Sequence, residues 1–120
     1  MEDFKPAPIK APVEFSILEK HDIRIGTVEN VEDIERSDKL VRLIVNFGDH
    51  HRRIIVGMKK ERDNPNEIIG MQALFVVNLE PRKIMGELSE GMLFDIGYSD
   101  KLIPVLAVPE KNVPDGARAG

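Results

Sequence analysis

From Leu40 to Phe47 apolar and polar residues alternate without a break, so Val41, Leu43, Val45 and Phe47 fall on one side and Arg42 and Asn46 on the other. Side chains of a strand alternate with a period of two, and a slip of one residue would turn all four apolar groups to water. The segment therefore belongs to a sheet with one buried face and one allowed register. Gly48, Asp49, His50 and His51 supply turn residues, and the chain returns as a third strand, Arg52 to Val56.

Asp22 to Ile34 is a longer first strand, with Ile23, Ile25 and Thr27 on one face and Asp22, Arg24, Gly26 and Val28 on the other. Gly26 inside it is expected at a bulge or sharp bend. Between Gly57 and Gly70 the alternation stops. Asn64 to Glu67 there reads as a helix start and Gly70 as its end. Met71 to Asn78 and Met92 to Ile96 supply the fourth and fifth strands. Five strands with a helical connection between the third and fourth give an all-β, five-stranded OB-fold barrel, whose closure needs a long, bent first strand. The interruption at Lys59 to Gly70 favours this order over an SH3-like barrel or an open sandwich.

The barrel is assigned to residues 15–98. Before it, residues 1–14 hold Pro6, Pro8 and Pro12 and read as a flexible arm. Ser16 to Glu19 then has capping-box spacing for a single helical turn. After it, residues 99–120 form an extension in which Leu102 to Pro109 is apolar on both faces. A second chain packed against Ile103, Val105, Leu106 and Val108 would satisfy that pattern and make a homodimer; folding back over its own barrel is the alternative.

No apolar run approaches the ~20 residues of a membrane helix, and no secretory signal precedes Asp22, so a cytoplasmic setting is expected. With no cysteine, disulfides and thiolate metal sites are excluded. The net charge of −4 argues against a generic polyanion binder, yet the charges are segregated. Glu29, Glu32, Asp33, Glu35 and Asp38 surround the single Arg36, whereas Arg52, Arg53, Lys59, Lys60 and Arg62 surround the single Glu61. Segregation favours one oriented anionic partner.

The candidate binding segment is Val76 to Phe94. It leaves a buried strand at Asn78, carries Arg82 and Lys83 next to the fixed backbone of Pro81, passes Gly86 and Gly91, and re-enters apolar sequence at Met92. Loops held between core strands are where scaffolds display binding residues, so anion capture is weighed here against an ordinary polar hairpin. His50 and His51 point to opposite sides of a strand and make a poor metal site. No nucleophile context, phosphate loop or cofactor site is present, and an enzyme is not expected. One Tyr, no Trp and five Phe leave few rings for stacking, because Phe47, Phe75 and Phe94 fall in core phase. Recognition of nucleic acid would then rest on backbone charge and shape, with a folded RNA as partner. Core packing is the expected place of Met92.

The segments DIRIG (Asp22 to Gly26), SDKLVRLIVNFG (Ser37 to Gly48), IVGM (Ile55 to Met58) and above all NLEPRKIMGELSEGM (Asn78 to Met92) resemble the tRNA-binding OB domain. That domain occurs at the C-terminus of methionyl-tRNA synthetases, in free-standing structure-specific tRNA-binding proteins and in synthetase-associated cofactors. The endings LFDIGYSD and VLAVPEKNVPDGARAG look most like the archaeal stand-alone beta subunit type. The resemblance implies a non-catalytic, homodimeric tRNA-binding protein without cofactor, with a synthetase as a further partner. It places Asn78, Arg82, Lys83, Ser89 and Met92 in the binding loop, with Arg82 and Lys83 on phosphates, Ser89 donating to a phosphate or ribose oxygen, and Asn78 and Gly91 holding the loop's shape. Charge and strand phase add Arg42, Arg53, Lys59 and Lys60. Arg36 and Ser37 depart from the proline and alanine of many members before Asp38. A related family that binds unfolded export substrates on the same barrel implies the alternative of a dimeric chaperone or protein-interaction module.

Overall fold

A computed structural model describes residues 3–120. Its largest sheet has the strand order β3-β2-β1-β4-β7, in which β1 (Ile23–Asp33) pairs antiparallel with β2 (Val41–Asn46) and β4 (Gln72–Val76). β3 (His51–Val56) pairs with β2, and β7 (Met92–Leu93) with β4. The long first strand serves both halves: its start lies beside β4 and its end beside β2. The curled sheet closes near β3, where Glu90 N donates to Arg53 O at 2.8 Å and Ile55 N donates to Ser89 Oγ at 3.0 Å. This is the OB-type barrel expected.

Val41, Leu43, Val45 and Phe47 are all buried, as their alternation requires, and join Val28, Ile54, Phe75 and Leu93 in the main core. Val28 and Val31 pack into that same core although they stand three residues apart, which strict alternation forbids. A register shift between Val28 and Asn30 supplies the extra residue. The bulge thus falls beyond Gly26, contrary to expectation. Gly26 is required instead by close packing, since a Cβ there would lie 2.5 Å from Val45 Cγ1 and 2.8 Å from Phe47 Cε1.

The expected helix between the third and fourth strands is one 3-10 turn, Pro65–Ile68, started by Asn64 Oδ1 accepting from Asn66 N and followed by Gly70 at φ +91°. At the other helical turn, α1 (Phe15–Glu19), Glu14 occupies the cap position and Ser16 lies inside the turn, so the capping box does not form. Residues 1 and 2 of the expected arm lie outside the described residues, and Lys5 to Glu14 are all exposed.

The fifth strand is shorter than read and shifted in phase. Leu93 pairs with Phe75 and is buried, which leaves Met92 45% and Phe94 41% exposed rather than in the core. β8 (Asp95–Ile96) then pairs with β9 (Val105–Leu106). The extension folds back over its own barrel: Leu106 is part of the main core, Gly116 N donates to Ile25 O, and Ala119 N to Ile23 O. Gln72 secures it, its side chain donating to Val113 O and accepting from Val113 N. Leu106 is therefore corrected from interface to core residue. Ile103, Val105 and Val108 remain exposed. Among the described residues no helix is long and apolar enough to cross a membrane.

Candidate nucleic-acid interface

Between β4 and β7 the chain leaves the barrel as a hairpin of β5 (Arg82–Ile84) and β6 (Glu87–Ser89). Ile84 and Glu87 form the closing pair, so Met85 and Gly86 make a two-residue turn with φ of 50° and 81°. Positive φ at both centres is the twist that suits a tight hairpin, and Gly86 adopts it without a Cβ penalty. Ile84 anchors the inner side against Ile34, Leu40 and Ile55.

The base of the hairpin is held by groups that sequence reasoning assigned to RNA or overlooked. Ser89 is 3% exposed; its hydroxyl accepts from Ile55 N and donates to Gly91 O, both at 3.0 Å. That saturates its one donor, so it is corrected from phosphate donor to clamp. Asn78 Oδ1 accepts from Asp22 N at 2.8 Å while its Nδ2 donates to Lys20 O at 2.7 Å. It ties the loop's start to the residues before β1. Arg52, which no sequence signal distinguished from its neighbours, donates through Nη1 to Val77 O at 2.6 Å and to Glu90 O at 3.1 Å. It therefore bridges the two ends of the excursion.

A chain of ion pairs fixes the hairpin's inner face. Arg42 donates to Glu87 and, at 3.1 Å, to Glu32; Arg36 donates to Glu87 at 2.6 Å and to Met85 O at 2.7 Å. The Glu87 carboxyl is held below the usual carboxylate range first by its hydrogen bond with Arg42, with Arg36 adding to the effect. Arg42, assigned to RNA from charge and strand phase, is thus engaged internally. So is Lys59, whose Nζ donates to Ile34 O at 2.9 Å and Ser37 O at 2.5 Å and pairs with Asp33. Both are corrected to structural roles, because their charges are neutralised and their donors aimed inward.

Other cations stay outside. Arg82 and Lys83 are exposed, and among the described residues neither forms an ion pair within 4 Å. Arg53 lies 3.6 Å from Glu90 and Lys60 3.7 Å from Asp38, all largely solvent-facing contacts that contribute little and break readily. Leu79, Met85, Leu88 and Met92 add exposed apolar surface around the hairpin. His50 and His51 pair with Asp49 and Glu29 respectively and do not converge.

The fold and this surface define an OB-barrel binding domain that presents a braced hairpin with two exposed cations. The model of the family described as "Putative tRNA binding domain" matches residues 23–118. A methionine–tRNA ligase of Bacteroides fragilis is 35% identical over 115 residues, covering 96% of this chain and 17% of that enzyme. The corresponding ligase of Methanocaldococcus jannaschii is 36% identical over 106 residues, covering 88% of this chain and 16% of that enzyme. The chain thus spans about a sixth of the length of these curated relatives. Among solved structures, a MetRS related protein from Pyrococcus horikoshii superposes with a TM-score of 0.84 at 34% identity, covering 92% of this chain and all of that one. The chaperone CsaA of Bacillus anthracis reaches 0.78 at 28% identity over the same shares. The chain belongs to the tRNA-binding domain family, a non-catalytic binding domain related to methionyl-tRNA synthetases.

Proposed function

We propose that this protein is of the stand-alone methionyl-tRNA synthetase beta subunit type and binds folded tRNA through backbone charge and shape. The observation that carries the proposal is the exposed Arg82–Lys83 pair, without an ion pair among the described residues, on a hairpin whose base is held by Arg52 and Ser89. Bracing means that little freedom is lost when the two cations meet phosphates. Arg53 and Lys60 extend the contact by exchanging weak acid partners for phosphate. Met92 borders the same surface with its exposed thioether side chain.

Two copies join through the exposed Val105 and Val108, which doubles the number of hairpins available to one RNA. The dimer works in the cytoplasm and delivers tRNA to a synthetase in trans. A second reading, a chaperone or protein-interaction dimer, is favoured by the likeness to CsaA and by Leu79, Met85, Leu88 and Met92 beside the cations. Titration with folded tRNA and, separately, with an unfolded polypeptide at several salt concentrations separates the two. Binding of tRNA that weakens steeply with salt supports the first; salt-insensitive binding of the polypeptide alone supports the second.

A further inference from the structure

The chain's one tyrosine lies away from the hairpin strands. Tyr98 is 62% exposed and lines a cavity of about 590 Å³, wide open to solvent, together with Lys60, Glu61, Lys101, Leu102 and Ile103. The wall is built by a stiff local structure. Tyr98 opens a 3-10 turn, Tyr98–Asp100, in which Tyr98 N donates to Asp95 Oδ1 and Lys101 N to Tyr98 O, each at 3.1 Å. Gly97 enters the turn at φ 112° and Lys101 leaves it at φ 60°. Only Lys101 and Met85 among the described non-glycine residues occupy the left-handed region, which a lysine rarely adopts. Such strained positions concentrate where a site has to be shaped.

The chemistry of the lining is mixed. An exposed ring offers a flat stacking surface, and Leu102 and Ile103 keep its surroundings apolar. Lys60 and Lys101 bring two ammonium groups, and the contact of Lys60 with Asp38 is loose enough to yield. Glu61 places a carboxylate on the same wall, without an ion pair among the described residues. Its carboxyl is pushed up by burial and, next, by Asp95. A carboxylate beside lysines disfavours a bare anion; it suits a ligand with a ring, N–H donors on the ring's edge and one phosphate. We propose that this cavity holds one unpaired nucleotide of the bound RNA, its base stacked on Tyr98, its edge donating to Glu61, and its phosphate between Lys60 and Lys101. The proposal rests on the tRNA reading and adds a base contact at a second place, outside the hairpin.

Because the chain has one Tyr and no Trp, the tyrosine ring resonances in a proton NMR spectrum report on this cavity alone. The full chain is titrated with a single-stranded hexaribonucleotide, AGAGAG, and in parallel with folded tRNA. The Tyr98 ring protons are expected to shift upfield with the oligonucleotide. Tyr98→Ala is expected to weaken that binding about ten-fold, the scale of one base–aromatic stack, and Tyr98→Phe to retain it. The Arg82→Ala, Lys83→Ala double variant is expected to lose affinity for tRNA and keep the ring shift. If wild-type protein binds tRNA and the Tyr98 ring stays unmoved by the oligonucleotide, or Tyr98→Ala binds it unchanged, the nucleotide site is wrong and the tRNA reading stands. If neither RNA binds, both fall. A ring shift that follows protein concentration and ignores RNA assigns the cavity to a second copy and overturns the proposal.

Discussion

Two groups of cations, the run from Arg52 to Arg62 and the pair Arg82–Lys83, are treated by the fold in opposite ways. In the run, Arg52 donates to two carbonyls, Lys59 to two more and to Asp33, and Arg62 pairs with Glu67 at 2.5 Å. Only Arg53 and Lys60 keep weak, solvent-facing contacts. In the hairpin, two cations are held by backbone pairing to Ser89 and Leu88, and their side chains are unneutralised among the described residues. Five cations in a row thus provide about as many free charges as two on a short strand. What attracts a polyanion is the number of charges that the fold has not already matched, and a net charge of −4 says nothing about that number.

Lys59→Met is the strongest way to break this contrast. If Lys59 is structural, its loss leaves Ser37 O without a donor and Ile34 O with only Ser37 N, and destabilises the fold by about 1.5–3 kcal/mol, read from the urea midpoint. The salt dependence of tRNA binding should not change. Ser89→Ala comes next: it leaves Ile55 N buried without an acceptor, at a cost of about 1–3 kcal/mol in the same assay. A Ser89→Ala variant of normal stability and reduced RNA affinity would return Ser89 to the binding set. For the hairpin the signs reverse. Arg82→Ala with Lys83→Ala should lower the slope of log affinity against log salt by nearly 2, at about 0.9 per phosphate lost on a duplex, and weaken tRNA binding roughly ten-fold. Stability should stay within about 0.5 kcal/mol, because both side chains are exposed.

The fold was readable where alternation was long. Leu40 to Phe47 places four buried residues correctly because eight residues of one phase leave no second register. At Met92 to Ile96 the same reading fails, since β7 has two residues and takes its phase from pairing Leu93 with Phe75. Gly26 was legible as special, and its cause was not: contact with Val45 and Phe47 is a tertiary fact. For the site, Arg82 and Lys83 stand out because Pro81 and Gly86 frame them on a short outer strand. Ser89 and Lys59 carry no local mark of burial. A hydroxyl that bonds Ile55 N and one that bonds a phosphate look alike in sequence, as do Lys59 and Lys60, until strands distant in the chain are brought together. Leu106 shows the same effect in the extension, where one residue in an apolar run enters the core and its neighbours stay outside.

The inner and outer faces of the hairpin can also be told apart by pH. Glu87 carries the inner ion pairs, and its folded-state pKa lies below its unfolded value of about 4.3. A group depressed in this way contributes stability that is present above the unfolded value and is lost as pH falls through the folded one. Glu87→Gln removes the charge, so it should lower stability at pH 7 and make the decline from about pH 5 downwards shallower than in wild type. Some acid dependence remains, because the Asp22 carboxyl is likewise held down, chiefly by its hydrogen bond with Arg24. Urea midpoints of both proteins at pH 7, 5 and 3 measure the difference. Arg82→Ala, which loses no acidic partner among the described residues, should follow the wild-type curve, and a shallower curve for it would place Arg82 in an ion pair that solvent exposure conceals.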